Sequence, residues 1–143
     1  MNIALRSRRA FTLIELMVVI LILAILAALV VPKVLSRTGD AKLSAAKSDL
    51  SALAGAGQQF QLDARRLPTT EEGLQALRVE PSGVQAWRGP YLNKDIPTDP
   101  WGNDYEYQTP GTAGRDSFVI RSFGSDGAEG GDGDAADIVD GSN

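Results

Sequence analysis

The side chains that could do chemistry in this chain carry oxygen. Its 143 residues include no Cys and no His. Thiolate nucleophiles, disulfides and Cys/His metal cages are therefore excluded, as are Ser-His-Asp triads and His-ligated zinc hydrolases. A metal bound here must be held by carboxylate, hydroxyl or carbonyl oxygen, the donor set of hard cations such as Ca²⁺ or Mg²⁺. Two acidic features stand out. Glu15 is a carboxylate near the start of a long apolar run, and Asp126, Glu129, Asp132, Asp134, Asp137 and Asp140 crowd a Gly-rich tail with no base after Arg121.

The tail has two readings. A solvated acidic tail, often disordered, is one. A Ca²⁺ loop is the other. Calcium takes six to eight oxygens, and glycines let a loop fold tightly around it. The Asp126-Gly127, Gly130-Gly131 and Asp132-Gly133-Asp134 spacings allow this, but they do not follow the EF-hand pattern. Spacing alone leaves both readings open. Glu15 also has two. It is either tolerated at a membrane interface or in need of a cationic partner, since intramembrane acids usually pair or mark function. No base lies within the apolar run, so a partner must come from the chain's own start or from another subunit.

The run holding Glu15 is Phe11 to Val31, 21 residues of which only Thr12 and Glu15 are polar. About 20 apolar helical residues cross a hydrocarbon core of ~30 Å. A cleaved secretory signal would have a shorter apolar core, so the length favours a retained membrane helix. Arg6, Arg8 and Arg9 precede the run. Under the positive-inside rule they keep the N-terminus cytoplasmic. Charge is uneven along the chain. Residues 1–50 hold seven bases and three acids, and residues 51–143 hold seven bases and fifteen acids, giving +4 and −8 and the overall −4.

Pro32 is expected to end or kink the apolar helix. After a short break at 36–40, with Gly39 as the weak point, Leu43, Ala46, Leu50, Leu53, Gly57 and Phe60 recur at spacings of 3, 4, 3, 4 and 3. That is one apolar stripe on a polar helix, and a small globular domain must cover it. Together the two patterns make one helix of about 50 residues. Beyond Arg66, Pro and Gly punctuate the chain. Thr70–Leu77 reads as a short helix capped by Thr69 or Thr70. Tyr105–Gln108 and Phe118–Phe123 read as strands joined through Pro110–Gly114 as an antiparallel hairpin. Pro100-Trp101-Gly102-Asn103-Asp104 reads as a tight turn that anchors a buried Trp against the helix stripe, in preference to a ligand site.

The N-terminal segment, Arg8-Arg9-Ala10 and then Phe11-Thr12-Leu13-Ile14-Glu15-Leu16-Met17-Val18-Val19, resembles the class III signal of type IV pilins and pseudopilins. The resemblance implies that a prepilin peptidase cuts between Ala10 and Phe11 and methylates the new N-terminal Phe11. It also implies that Glu15, the fifth mature residue, pairs with the N-terminal amine of a neighbour. The family prefers Gly before the cut, where this chain has Ala10. The likeness continues through Arg66–Leu77, Gly89-Pro90-Tyr91-Leu92, the Asp99-Pro100-Trp101-Gly102-Asn103 block, and Ser122–Gly127 with Glu129-Gly130-Gly131. In that order these segments are similar to the major pseudopilins of type II secretion.

This family implies an α+β, pilin-like fold: a long N-terminal helix packed on a small antiparallel β-sheet, with a calcium-binding C-terminal loop. Its expected parts are a cleaved leader over 1–10, a transmembrane and filament-core helix over 11–32, a periplasmic continuation over 33–66 and a globular domain over 67–143. The calcium loop is expected at 123–137. The Phe123 carbonyl and Asp126 match family ligands, while Asp132, Asp134 and Asp137 are ranked candidates. The implied function is non-enzymatic. Subunits anchored in the bacterial inner membrane, with the C-terminal domain periplasmic, polymerise into a filament that drives export of folded proteins. The implied partners are other copies of the chain, minor pseudopilins, the inner-membrane assembly platform, the prepilin peptidase and the lipid bilayer, with no nucleic acid. A type IV pilus or DNA-uptake pilin is the alternative, although many such pilins carry a Cys pair that this chain lacks. A membrane-tethered hydrolase has no visible active-site constellation. Loss of the leader's three Arg would leave the mature chain at −7.

Overall fold

A computed structural model describes residues 11–142, without the side chains of residues 29–37 and 142. The leader over 1–10, including Ala10, lies outside the described residues. Helix α1 spans Leu13–Ala64, 52 residues. Three strands follow, β1 (Glu106–Gln108), β2 (Phe118–Ser122) and β3 (Ile138–Ser142), with short 3₁₀ turns at Gly73–Leu77 and Gly133–Ala135. The sheet order is β1-β2-β3, antiparallel throughout. The chain divides into two compact units, one up to Thr38 and one from Gly39 onward.

In the first unit the helix begins at Thr12. The Thr12 Oγ1 accepts the Glu15 backbone N–H at 3.2 Å, which caps one of the four N–H groups that a helix start leaves unpaired. Glu15 is exposed in the first turn, where the helix dipole favours an acid. The apolar side chains around it are also exposed, from Phe11 at 78% through Leu26 at 53%. Among the described residues no helix is long and apolar enough to cross a membrane. Described side chains in the apolar run end at Ala28, short of the ~20 residues that a span needs.

The second unit is built on the apolar stripe. Ala46, Leu50, Leu53, Gly57 and Phe60 are buried and Leu43 half-buried, as their spacing predicts. Against them pack Leu74, Leu77, Val84, Tyr105, Tyr107, Phe118, Ile120 and Ile138. Phe60 meets Tyr91 edge-on at 5.8 Å, and Tyr107 stacks on Phe118 at 5.7 Å. Tyr105 donates its hydroxyl to Asp49 of α1 at 3.2 Å, and Tyr107 donates to the Pro68 carbonyl at 2.9 Å. Burial pushes both phenols up, Tyr107 to about 12, so both remain donors at neutral pH.

Several expectations are corrected. There is no break at 36–40, and Pro32 does not end the helix. Gly39 is not a weak point. It is buried, and a Cβ there would lie 2.5 Å from the Asp134 carboxylate, so the residue is small because the C-terminal loop approaches the helix. The helix ends at Ala64, two residues before the expected limit, with Arg65 in the left-handed region at φ 54°. The Thr70–Leu77 helix is reduced to a 3₁₀ turn because Gly73 takes φ 57°. The hairpin forms as expected, with Tyr107 opposite Ile120. The acidic tail instead supplies β3, with Ile120 opposite Asp140 and Ser122 opposite Ile138.

Where α1 gives way to the 3₁₀ turn, Thr69 and Glu72 exchange bonds. Glu72 N–H donates to Thr69 Oγ1 at 3.1 Å and Thr69 N–H to the Glu72 carboxylate at 2.8 Å, a capping box. Arg66 grips the same carboxylate through two bonds of 2.7 Å. The bonded Arg66 guanidinium holds the Glu72 carboxyl below the usual range, against opposing desolvation. A lowered folded pKa gives stability that is present above the unfolded value and lost as pH falls through the folded one. The wild-type protein should therefore lose more melting temperature than Glu72→Gln between neutral pH and pH about 3, below the ordinary glutamate range. Parallel acid curves for the two proteins would refute it.

Candidate metal loop and its anchoring turn

The candidate site is the loop between β2 and β3, residues 123–137. It opens at a buried carboxylate that the sequence reading missed. Asp99 is 3% exposed. Its Oδ1 accepts the backbone N–H groups of Trp101 at 3.1 Å and Asn103 at 2.8 Å, closing a local Asx turn. Its Oδ2 accepts the Ser122 hydroxyl at 2.6 Å, from the end of β2. The turn is further tied by Asp99 N–H to the Asn103 carbonyl at 2.8 Å and Gly102 N–H to the Asp99 carbonyl at 2.9 Å. Three donors offset the desolvation of the buried acid. Trp101 is half-buried, not buried, with Lys42 Nζ at 6.0 Å from its ring centre. The tight turn is present, but Asp99 is its buried anchor. An Asp at the head of a Pro-Trp-Gly turn signals the local bonds, while the Ser122 partner lies 23 residues away and leaves no local mark.

The predicted ligand residues are distributed along this loop. Phe123 is half-buried, with the Arg121 guanidinium 5.6 Å from its ring centre. Arg121 also reaches Glu129 at 3.4 Å and Glu106 at 3.9 Å, bridging the sheet to the loop. Asp126 is exposed and its Oδ1 accepts the Ala128 N–H at 3.2 Å. Asp132 and Asp134 are exposed, and Asp134 lies against Gly39 of α1 while its carbonyl accepts the Ser125 N–H at 2.9 Å. Among the described residues, no group of three or more acidic side chains converges into a metal cage.

One observation fits a cation in this loop. Asp137 Oδ1 is buried and has no hydrogen-bond partner among the described residues. A carboxylate oxygen buried without a partner is costly unless something else satisfies it. The donors on offer are all oxygen, so that partner would be a hard cation completed by backbone carbonyls and water. Phe11 and Glu15 lie in the first unit, and Ala10 is outside the described residues.

Comparison with known proteins gives consistent results over nearly the whole chain. Residues 33–141 match the family described as type II secretion system (T2SS), protein G, and residues 5–31 match the prokaryotic N-terminal methylation motif. The chain is 48% identical over 136 residues to the type II secretion system core protein G of Pseudomonas aeruginosa, covering 93% of this chain and 94% of the relative. It is 43% identical over 136 residues to that of Vibrio cholerae, covering 93% and 91%. The crystal structure of the major pseudopilin from the type 2 secretion system of enterohaemorrhagic Escherichia coli superposes with a TM-score of 0.62 at 34% identity, over 77% of this chain and 95% of that one. The methylation motif joined to this domain marks a membrane-anchored, pilin-like protein. The chain therefore belongs to the protein G family of the type II secretion system.

Proposed function

We propose that this protein is the major structural subunit of a type II secretion pseudopilus. The observation that carries the reading is the union, in one chain, of the N-terminal methylation motif with the full protein G domain. An exposed apolar helix and a compact head are what a filament subunit needs. The helix finds cover in lipid before assembly and against identical helices after it. Identical subunits stacked through unlike faces generate a helix and not a closed ring. The membrane helix is single-pass in the inner membrane, N-terminus cytoplasmic and head periplasmic, with the arginines of the leader setting the orientation. The prepilin peptidase cuts between Ala10 and Phe11 and methylates Phe11. The partners are other copies, minor pseudopilins and the inner-membrane assembly platform. The role is mechanical and turns over no substrate. Deleting the gene should abolish export of folded proteins across the outer membrane. Unchanged export with lost twitching or transformation would favour a pilus subunit.

Glu15 pairs with the methylated N-terminal amine of a neighbouring copy. Its cost inside hydrocarbon is ~2.5–3.5 kcal/mol at a helix centre and less near an end, so insertion tolerates it and assembly relieves it. Glu15→Ala should insert in the membrane normally and yield few or no filaments in sheared-fraction assays. Abundant filaments from that variant would end the pairing idea.

The 123–137 loop holds one structural Ca²⁺, with Asp126, Asp137 and the Phe123 carbonyl as leading ligands and Asp132 and Asp134 as further candidates. The ion supplies a positive charge that ties the acidic loop together. Binding to the folded state alone stabilises by about 2.7 kcal/mol at a hundredfold excess over the dissociation constant. For a head of this size that is on the order of 10 °C in melting temperature. EGTA should lower the melting temperature of the calcium-loaded protein by that order, and added calcium should restore it. An unmoved melting temperature in protein stripped beforehand would remove the ion from the account.

A further inference from the structure

Two successive peptide planes at the mouth of the acidic loop are held from outside it. The first is Phe123–Gly124, whose Gly124 N–H donates to Ser122 Oγ at 3.3 Å. The second is Gly124–Ser125, whose Gly124 carbonyl accepts Asn103 Nδ2 at 2.8 Å while its Ser125 N–H donates to the Asp134 carbonyl at 2.9 Å. In a planar trans peptide the carbonyl points opposite to the N–H. Fixing the Gly124 N–H on Ser122 therefore aims the Phe123 carbonyl the other way. Between the two planes Gly124 takes φ 63°, a conformation that side chains rarely adopt. A Cβ at Gly124 would also press on the Asp134 carbonyl at 2.7 Å.

Both external hands lead to the same carboxylate. Ser122 Oγ donates to Asp99 Oδ2 at 2.6 Å, and Asn103 N–H donates to Asp99 Oδ1 at 2.8 Å. Ser122 is fully buried and Asp99 nearly so, which locks the geometry out of water. Asn103 further lies beside Gly127, where an added Cβ would meet its Oδ1 at 3.2 Å. The turn thus touches the loop at two points, on either side of Asp126.

We propose that Asn103 and Ser122, both set by Asp99, are positioning residues that preset the Phe123–Asp126 end of the loop for its cation. The inference rests on the calcium reading above. It divides the loop into a metal-ready arm, held by the turn, and a distal acidic arm that closes on the ion. Outer residues that orient metal ligands are typically worth ten- to hundredfold in affinity.

The test uses the full chain in detergent, titrated with CaCl₂ by calorimetry, with melting temperatures of the calcium-free proteins measured alongside. Asn103→Ala should weaken calcium binding about ten- to hundredfold while the calcium-free melting temperature stays near wild type. A purely structural role would lower that melting temperature and leave affinity intact in the folded protein, and that result would overturn the proposal. So would wild-type affinity in both Asn103→Ala and Ser122→Ala, the second variant serving if the first does not fold. A wild-type chain that binds no calcium would overturn the calcium reading and this inference together. Calcium binding in wild type with no loss in either variant would overturn the inference alone.

Discussion

Everything in the head of this protein depends on one helix face finding cover. The stripe from Ala46 to Phe60 on α1 is buried along its length, and the 3₁₀ turn at Gly73–Leu77 and all three strands contribute side chains to it. The 3₁₀ turn brings Leu74 and Leu77, β1 brings Tyr107, β2 brings Phe118 and Ile120, and β3 brings Ile138. A three-stranded sheet is too small to have two solvent-free faces, so its apolar side has no alternative to α1. Contact is close enough that a Cβ at Gly57 would meet the Phe118 ring at 3.0 Å. The register of the sheet follows from this, since slipping β2 by one residue would turn Phe118 and Ile120 away from the helix.

Apolar burial sets the layers but does not hold the long connections, which run polar and glycine-rich. Those are tied by a few charged groups with several partners each. Glu72 joins the helix exit to the 3₁₀ turn through Arg66 and Thr69. Asp99 joins the Pro-Trp-Gly turn to β2 and, through Asn103, to the acidic loop. Arg121 reaches from β2 to Glu106 and Glu129. A small exported domain often uses disulfides for such work. With no Cys available, carboxylates carry it, and a calcium ion in the tail would be the same solution applied where carboxylates alone repel.

This division explains what could be read from the chain. The stripe on α1 and the hairpin of β1 and β2 were legible because their periodicity is local. Three features hidden from local reading have one cause. Gly39 looks like a break because glycine costs about 1 kcal/mol in a helix, yet its smallness answers Asp134, far away in sequence. The end of the tail shows no strand signal because Asp and Gly are poor strand formers, yet the free edge of β2 recruits it as β3. Asp99 carries no local mark of burial, yet Ser122 arrives from 23 residues away to bury it. Of the candidate site, the loop and its acids were visible in composition. The orphaned oxygen of Asp137 and the turn that grips Gly124 were not, because both are products of folding.

The first unit obeys a different constraint. Its described apolar side chains are exposed on all sides, so the isolated helix has no buried face of its own. Lipid satisfies that surface as well as another helix would, and within a bilayer no hydrophobic force favours leaving one for the other. In the proposed pairing, Glu15 would break the tie. Lipid tails accept the leucines and valines but offer nothing to a carboxylate, whereas a neighbouring subunit with a free terminal amine offers both an apolar wall and a positive charge. Thr12 already caps the Glu15 backbone N–H, so what remains to be satisfied is the side chain alone. Under the proposed pairing, such a subunit would be tolerated in the membrane as a single copy and would gain specifically from a partner placed in one register, where the amine of one chain would meet the acid of the next. One polar pair of that kind, at the start of an otherwise apolar run, would be enough to select one assembly over the others.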